Sequence, residues 1–264
     1  MWRWGIAELG TRDIPAMLAF IQKASGAQKV ALVAHSQGTT QTFYALSRDC
    51  EPEIGLNLSS FSALSPAVYT GPLLDRWFFR FVRLLPQGVY HFFFGHHSFI
   101  GLMSKFHRVV PERVYAFFGY LMFNYLLDWD DRLWNPVYRD RQFLFSPTYV
   151  SAELMYWWLG RHGFASNGCV FDESAGQWFD NQMFPPLAIF VPGRDDLVDP
   201  NALVTRLSSY EQFKVLRVFD LPTYSHLDVL WATDAIEKVG KPLNEFIWEN
   251  VEDKHNWSQP ILDV

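Results

Sequence analysis

Residues 29–40, Lys29-Val-Ala-Leu-Val-Ala-His-Ser36-Gln-Gly38-Thr-Thr40, contain the most informative pattern of this sequence. Val30 to Ala34 is an uninterrupted apolar run rich in β-branched residues, which is typical of a strand buried on both faces of a sheet. The run stops at His35, and apolar side chains recur at helical spacing between Thr39 and Arg48. The sequence therefore predicts a buried strand, a sharp turn with Ser36 at its apex, and a helix.

A serine at the apex of a strand–turn–helix unit is the nucleophile elbow of the α/β-hydrolase fold. The strained turn leaves no room for bulk two residues before and two residues after the serine, where this chain has Ala34 and Gly38. Such a turn lifts the Ser36 hydroxyl clear of the sheet and aims the backbone amide of Gln37 at the place where an oxyanion would form. Taken alone, the stretch also fits an ordinary strand-to-helix turn.

Composition limits the classes of protein to which the chain belongs. Its 264 residues, 49% of them hydrophobic, suffice for one substantial core or for one core with a large insertion. A net charge of −6 argues against nucleic-acid binding. Cys50 and Cys169 cannot form a disulfide framework, and two reduced thiols in an intracellular protein are the favoured interpretation over a single bridge.

The sequence shows neither a signal peptide nor a transmembrane helix. Residues 1–5 lack the apolar core of a signal peptide, and no run of 18 or more residues is continuously apolar. The nearest approach is Val114 to Leu127, whose 14 residues predict a buried or interfacial helix. We therefore expect an intracellular protein.

Changes in composition and in the hydrophobic pattern divide the chain into four regions. We predict an α/β fold made of two hydrolase-core segments, separated by a large helical cap or lid and followed by a frayed polar tail. The predicted boundaries are 1–65 for the first core segment, 66–186 for the cap, 187–252 for the second core segment and 253–264 for the tail.

The predicted cap is unusually aromatic. Residues 71–165 hold 26 of the 46 aromatic residues of the chain. A helical subdomain with a bulky core would explain part of this content. The favoured interpretation is a cap over the active site with an apolar inner surface, because the insertion lies between two core strands, where hydrolase caps occur.

Periodicity and turn signals predict the remaining elements. Thr11 to Pro15 is expected to start the first helix, with Asp13 among the capping residues, and Gly26 is expected to end it. Further strands are predicted at 56–64, 185–191 and 215–221, and further helices at 201–211, 229–239 and 243–249.

Asp195 and His226 complete a candidate catalytic set with Ser36. Each follows an apolar run, so all three lie where parallel strands end, and their order along the chain is that of α/β-hydrolases. His226 would take the proton of the attacking Ser36 hydroxyl, and Asp195 would hold the imidazole and stabilise its charged form. Asp196 and Asp199 are alternatives to Asp195, although Asp199, directly before a proline, better suits a helix cap.

The remaining histidines do not predict a metal site. His91, His96, His97 and His107 lie close together in the sequence, but no cysteine or carboxylate follows at a useful ligand spacing. We expect no metal and no cofactor.

Five segments together resemble the acid lipase family of α/β-hydrolases, which includes gastric and lysosomal acid lipases and the fungal triglyceride lipases and steryl ester hydrolases. The fungal branch is the most similar in the predicted cap. The segments that carry the resemblance are 13–21 (Asp-Ile-Pro-Ala-Met-Leu-Ala-Phe-Ile), 33–40 (Val-Ala-His-Ser-Gln-Gly-Thr-Thr), 61–67 (Phe-Ser-Ala-Leu-Ser-Pro-Ala), 193–200 (Gly-Arg-Asp-Asp-Leu-Val-Asp-Pro) and 225–231 (Ser-His-Leu-Asp-Val-Leu-Trp).

The resemblance implies a serine carboxylic-ester hydrolase that acts on neutral lipid esters, either triacylglycerol or steryl ester. Ser36, Asp195 and His226 would form its catalytic triad, the Gln37 amide would be one oxyanion donor, and residues 66–186 would form the lid. The implied partners are a neutral lipid ester and the surface of a membrane or lipid droplet, with no nucleic acid.

One departure from the family pattern concerns the start of the chain. Family members carry a long preceding segment that supplies several strands and a His-Gly loop with the second oxyanion donor, so this chain resembles an N-terminally truncated member. The elbow strand is then expected at or near the edge of the sheet, with apolar surface uncovered. This departure leaves open a second interpretation, a catalytically impaired paralogue that acts as a lipid-surface or scaffold protein.

Overall fold

The computed structural model describes residues 4–99, 101, 109–127, 131–143 and 150–251. Within them, four parallel strands form one sheet in the order β1-β2-β3-β4. The strands are β1 (Val30–His35), β2 (Leu58–Leu64), β3 (Leu187–Pro192) and β4 (Leu216–Leu221). Because all four run in the same direction, their carboxyl ends meet at one edge of the sheet, and this edge carries the candidate site.

The α-helices of the described residues lie before, between and after the strands. They are α1 (Ile6–Glu8), α2 (Ile14–Ser25), α3 (Gln37–Leu46), α4 (Trp77–Leu84), α5 (Gln87–Phe94), α6 (Glu112–Leu127), α7 (Pro136–Phe143), α8 (Ala152–Leu159), α9 (Phe164–Asn167), α10 (Pro200–Tyr210), α11 (Asp228–Trp231) and α12 (Lys241–Glu249). Two π-helical turns, Leu9–Asp13 and Ile236–Gly240, lead into α2 and α12.

Helices cover both faces of the sheet. On one face α2, α3 and α10 pack against alternate strand residues, including Phe61 and Ile189. On the other face α11 and α12 pack against Phe190 and its neighbours. Every residue of β3 is buried, as expected of an inner strand whose two faces are both covered. This three-layer arrangement confirms the predicted α/β fold class.

The strand β1 lies at the edge of the sheet, as the sequence predicts. It pairs only with β2 among the described strands, and Val33 is 44% exposed. Beside it lies a groove with a volume of about 380 Å³. The groove is lined by α2 side chains such as Met17, by the residues of β1, and by Gly38 and Gln41 of α3. Within the described ranges, backbone groups of this strand and apolar surface are therefore uncovered on this side.

Two of the predicted helix boundaries are wrong. Asp13 does not cap the first helix, because its backbone is itself helical and the chain is already helical from Ile6 onward. The helix predicted at 229–239 is interrupted, since α11 ends at Trp231 and Ala232 is extended. By contrast, Gly26 ends α2 in the left-handed conformation with φ 74°, as its position after the last apolar residue predicts.

The described residues between β2 and β3 form helices, turns and isolated bridges. Their division from the core at residues 66 and 186 stays a prediction, and the predicted tail, 253–264, lies outside the described residues. The 14-residue apolar stretch falls within α6, where Tyr115 and Ala116 are buried while Phe117 and Phe118 are each 58% exposed. In the part of the chain that the structure describes, no helix is long and apolar enough to cross a membrane.

Candidate active site

Ser36 occupies the strained turn that the sequence predicts. Its φ of 51° and ψ of −121° lie outside the regions that ordinary residues favour, and α3 begins at the next residue. A Cβ added at Gly38 would lie 3.4 Å from the Cβ of Ala34. The turn therefore brings positions 34 and 38 into contact, which admits small side chains and excludes large ones.

Asp195 lies in the loop after β3, and its carboxylate is held on both oxygens. Oδ1 accepts hydrogen bonds from the amides of Leu197 (3.0 Å) and Val198 (3.2 Å). Oδ2 lies 2.7 Å from His226 Nδ1. The loop can take this course because residue 193 is glycine, since a Cβ there would lie 2.8 Å from the Cα of Pro222.

The two alternative aspartates have other surroundings. Asp199 accepts a hydrogen bond from the amide of Ala202 at 2.9 Å and thereby caps α10, as predicted. Asp196 is exposed, and its backbone carbonyl accepts a hydrogen bond from the amide of Leu73. Among the three carboxylates, that of Asp195 is the one hydrogen-bonded to His226.

His226 joins the other two side chains. Its Nε2 lies 2.8 Å from Ser36 Oγ, and its Nδ1 lies 2.7 Å from Asp195 Oδ2. The side chains of His226 and Asp195 are only 3% and 0% exposed. Because a carboxylate only accepts hydrogen bonds, Nδ1 carries the ring proton, and Nε2 is left to accept the hydrogen bond of the Ser36 hydroxyl. The structure thus brings together the three residues that the sequence predicts.

The backbone amide of Gln37 lies at the start of α3, so it is one of the donors that a helix leaves unused. The Gln37 side chain points elsewhere, because its Oε1 accepts a hydrogen bond from Trp158 Nε1 at 2.9 Å. This contact joins α8 of the predicted cap to the elbow. The roles of Ser36, Asp195, His226 and Gln37 in catalysis, and the second oxyanion donor expected upstream, stay predictions.

A buried carboxylate near His226 was missed as a site residue. Asp228 Oδ2 accepts from the amide (2.6 Å) and the hydroxyl (2.8 Å) of Ser225, and Oδ1 accepts from Trp134 Nε1 at 2.6 Å. Trp134 also packs edge-on against Trp231, with ring centroids 4.8 Å apart. The sequence pattern His-Leu-Asp-x-x-Trp at 226–231 could have indicated Asp228. In the structure, the aspartate and the tryptophan of this pattern belong to the buried cluster next to His226.

Two further side chains at the strand ends, His35 and Ser65, were also missed. Burial, and secondarily repulsion from His226, lowers the pKa of His35 to about 4, so that its ring is neutral above this pH. Ser65 is fully buried and has a φ of 47°, and Ser36 is the other non-glycine residue with positive φ among the described residues. Their sequence positions, next to the nucleophile and before Pro66, offered the only signal.

The histidines of the predicted cap make ordinary contacts where they are described. His91 is buried, donates from Nδ1 to the carbonyl of Gly95 (3.0 Å) and packs its ring against His96. His107 lies outside the described residues. In residues 4–99, 101, 109–127, 131–143 and 150–251, no group of three His, Cys, Asp or Glu side chains is placed to hold a metal ion.

Comparison with known proteins defines the class of this chain. The profile of the alpha/beta hydrolase fold family matches residues 3–233, and the chain belongs to this family. It is similar to sterol esterase 2 of Saccharomyces cerevisiae, with 37% identity over 280 residues that cover 92% of this chain and 52% of that protein. It is also similar to human gastric triacylglycerol lipase, with 26% identity over 272 residues that cover 94% of this chain and 65% of that protein.

The chain therefore spans between about half and two thirds of the length of these curated relatives. Among solved structures, that of Paleococcus ferrophilus monoacylglycerol lipase matches with a TM-score of 0.51, covering 94% of this chain and 77% of that one. At 11% identity this likeness concerns the fold alone.

Proposed function

We propose that this chain carries the catalytic site of a lipase-type serine carboxylic-ester hydrolase, with Ser36 as nucleophile, His226 as general base and acid, and Asp195 as the residue that orients it. The observation that carries the proposal is the unbroken hydrogen-bond chain from Ser36 Oγ through the His226 ring to Asp195. A serine hydroxyl is a weak nucleophile at neutral pH, and this arrangement is the one that activates it.

The first half of the reaction acylates the serine. Ser36 Oγ attacks the ester carbonyl carbon while its proton passes to Nε2 of His226. The carbonyl oxygen becomes an oxyanion that accepts a hydrogen bond from the Gln37 amide. When the tetrahedral intermediate collapses, the bond to the alcohol oxygen breaks, and the His226 imidazolium protonates the leaving alcohol.

The second half of the reaction releases the acid. A water molecule gives a proton to Nε2 of His226 as its oxygen attacks the acyl carbon. Collapse of this second intermediate breaks the bond to Ser36 Oγ, which recovers its proton from the imidazolium. Asp195 stays ionised throughout and stabilises the charged ring each time it forms.

The substrate class that we propose is neutral lipid esters, triacylglycerol or steryl ester. Two curated relatives are named for sterol ester and triacylglycerol substrates. The surroundings of the elbow support an apolar acyl group, because Trp158 reaches Gln37 and packs against Trp157 and Phe164, with ring centroids 4.9 and 4.8 Å away. These rings belong to one apolar cluster, which suits the acyl group of a neutral lipid ester.

Hydrolysis of p-nitrophenyl butyrate and p-nitrophenyl palmitate by the wild type and by Ser36→Ala tests this function. The wild type should hydrolyse both esters, the palmitate in detergent micelles, and the alanine variant should lose more than about a thousandfold in rate. Equal rates in the two proteins would overturn the proposal. A folded wild type with no activity on either ester would favour the non-catalytic scaffold instead.

We also propose that the outward face of α4 meets a lipid surface. Trp77, Phe81 and Leu84 recur at helical spacing and are 77%, 57% and 75% exposed, while Phe79 and Val82 on the opposite side are buried. The exposed Arg80 flanks this face in a chain of net charge −6. The local positive charge complements anionic lipid headgroups.

Flotation with vesicles of phosphatidylcholine containing phosphatidylserine tests this partner. The double variant Trp77→Ala/Phe81→Ala should bind about tenfold to a hundredfold more weakly, because two apolar side chains no longer enter the lipid. Val137→Ala/Tyr138→Ala is the matched control, since these α7 residues are 77% and 60% exposed. Equal weakening by the two double variants, or none by the first, would contradict a docking face on α4.

A further inference from the structure

The loop that carries His226 has to cross most of the sheet. It leaves β4, at one edge, and its imidazole reaches Ser36 at the end of β1, at the opposite edge. Over β3 the crossing is held by backbone hydrogen bonds of 2.9 Å, from the Gly193 amide to the Leu221 carbonyl and from the Arg194 amide to the Tyr224 carbonyl. Beyond β3 the loop must be held by other groups.

Two side chains hold the far end of the crossing. His35 Nε2, at the end of β1, donates to the backbone carbonyl of His226 at 3.0 Å. Ser65 Oγ, directly after β2, donates to the same carbonyl at 3.1 Å. A carbonyl oxygen has two lone pairs, so these two donors satisfy it fully. The carbonyl of His226 is thus fixed over the ends of the two strands nearest to the nucleophile.

The backbone of Ser65 has a strained conformation that serine rarely adopts. Its φ of 47° is a conformation in which glycine, asparagine or aspartate is usual, and its side chain is completely buried. Non-glycine residues in such conformations cluster at functional sites, where the surrounding structure holds them. Here the conformation directs the Ser65 hydroxyl at the His226 carbonyl while the Ser65 amide donates to Phe190.

The position of His35 suits a neutral donor. Its ring lies 5.0 Å from the ring of His226, so a second positive charge there would oppose the imidazolium that the reaction forms on His226. Because its Nε2 donates to a carbonyl, the neutral ring has its proton on that nitrogen. The side chain thus supplies a hydrogen bond without adding charge to the site.

We propose that His35 and Ser65 are positioning residues that hold the backbone carbonyl of His226, so that its imidazole lies within hydrogen-bond distance of both Ser36 and Asp195. This inference rests on the proposed hydrolase function. The two residues act through His226 and touch no reacting atom themselves. Their loss should therefore lower kcat and leave KM unchanged, because ester binding does not involve them.

Variants of Ser65 separate the hydroxyl from the backbone strain. Ser65→Ala removes the donor and keeps the strain, whereas Ser65→Gly removes the donor and relieves the strain. We expect kcat for p-nitrophenyl butyrate to fall about fivefold to tenfold in both variants, the loss that corresponds to one hydrogen bond. Ser62→Ala is the matched control, because Ser62 is buried in β2 and its Oγ has no hydrogen-bond partner among the described residues.

Variants of His35 test the second donor by rescue. His35→Leu removes the hydrogen bond and should lower kcat about tenfold, while His35→Gln, whose side-chain amide can donate to the same carbonyl, should recover most of the rate. Thermal unfolding midpoints and KM should stay near the wild-type values in His35→Gln and in Ser65→Gly. A purely structural role would instead lower stability and leave kcat per folded molecule unchanged.

The outcomes distinguish this inference from the proposed function. If the wild type hydrolyses the ester and Ser36→Ala does not, the function stands, and wild-type kcat in both Ser65→Gly and His35→Leu would overturn the inference alone. Failure of His35→Gln to recover more rate than His35→Leu would also count against the hydrogen bond. If the wild type itself is inactive and only the unfolding midpoints respond, the function fails and the inference fails with it.

Discussion

The carboxylate of Asp195 determines which nitrogen of His226 carries the proton. In Asp195→Asn, the side-chain oxygen can keep the hydrogen bonds to the amides of Leu197 and Val198, which leaves the NH2 group facing His226 Nδ1. Nδ1 would then have to accept, and the proton would move to Nε2, which faces Ser36. In this tautomer the ring cannot take the serine proton.

We therefore predict that Asp195→Asn lowers kcat for p-nitrophenyl butyrate by about 10⁴-fold while leaving the fold intact. Asp196→Asn is the matched control, because this neighbouring carboxylate is exposed. Steady-state kinetics with both variants checks the prediction. Comparable losses in both variants would show that the assignment of the acid to Asp195 is wrong.

The low pKa of His35 predicts a pH dependence of stability. The ring has a pKa of about 4 in the folded chain, against 6.5 when exposed, so the unfolded chain binds the proton more readily between these values. The neutral His35 ring makes its full contribution to the free energy of unfolding above about pH 6.5, and this contribution is lost as the pH falls towards 4. Between pH 7 and pH 5 this loss amounts to about 2 kcal/mol.

Urea unfolding of the wild type and of His35→Gln, at pH 7 and at pH 5, measures this contribution. From pH 7 to pH 5, the free energy of unfolding should fall by about 2 kcal/mol more in the wild type than in the variant, because glutamine does not titrate. Other titrating groups affect both proteins equally and cancel in the difference. Parallel loss of stability in the two proteins would mean that His35 is charged or exposed in the folded state.

The three predicted catalytic residues could be predicted from the sequence because each lies in the turn or loop that follows a strand. His35 and Ser65 were not accessible in this way, since their partner is the backbone carbonyl of His226, and a backbone acceptor leaves no pattern in the sequence. The strain at Ser65 is equally invisible, because its left-handed conformation would be expected of glycine or asparagine.

At the scale of elements, the predictions succeeded for strands and erred at helix ends. The strands β1 and β3 are nearly continuous apolar runs, and β2 and β4 carry polar residues between apolar ones. Polar or turn-forming residues mark the ends of these segments. The error at Asp13 arose because helix α1 and a π-helical turn precede α2, which makes a residue of capping type an interior one. The break after Trp231 follows from tertiary contacts, since Trp231 packs against Trp134 and the Thr233 amide donates to the Leu133 carbonyl.

The pairing of Trp134 with Asp228 joins the segment before α7 to the histidine loop. Asp228 is 2% exposed, and Trp134 supplies the hydrogen bond to one of its carboxylate oxygens. Removal of this donor would leave a buried carboxylate oxygen unsatisfied, which costs about 1–3 kcal/mol. We therefore predict that Trp134→Phe destabilises the chain by about this amount in urea unfolding.

Trp77→Phe is the control for this substitution, because Trp77 is 77% exposed and its change should alter stability by less than about 0.5 kcal/mol. Similar unfolding midpoints for Trp134→Phe and the wild type would show that the Trp134 indole does not support Asp228. If both substitutions lower the free energy of unfolding equally, the loss comes from replacing any tryptophan and not from the contact with Asp228.

In the part of the molecule that the structure describes, β1 forms one of the two edges of an open sheet and is partly exposed. A parallel edge strand with apolar neighbours offers backbone hydrogen bonds and hydrophobic surface to any other chain. Val33 lies in this strand and is 44% exposed. We predict that the 264-residue chain self-associates at micromolar concentrations and that Val33→Lys shifts it towards the monomer.

Sedimentation velocity of the wild type and of Val33→Lys checks this prediction. Val137→Lys serves as the control, because Val137 is an exposed apolar residue on α7, away from the sheet. A wild type that is monomeric at all concentrations would refute the prediction, as would an equal effect of the two lysine substitutions.

The proposed function requires His226 to activate the Ser36 hydroxyl, and labelling with a fluorophosphonate probe detects this activation at the serine itself. Only an activated serine attacks the phosphorus centre and displaces fluoride. Mass spectrometry of the digested wild-type protein should find the adduct on Ser36. In His226→Gln, the rate of labelling should be lower by more than about a thousandfold. If the folded wild type forms no adduct, or if the two proteins are labelled at the same rate, His226 does not activate Ser36.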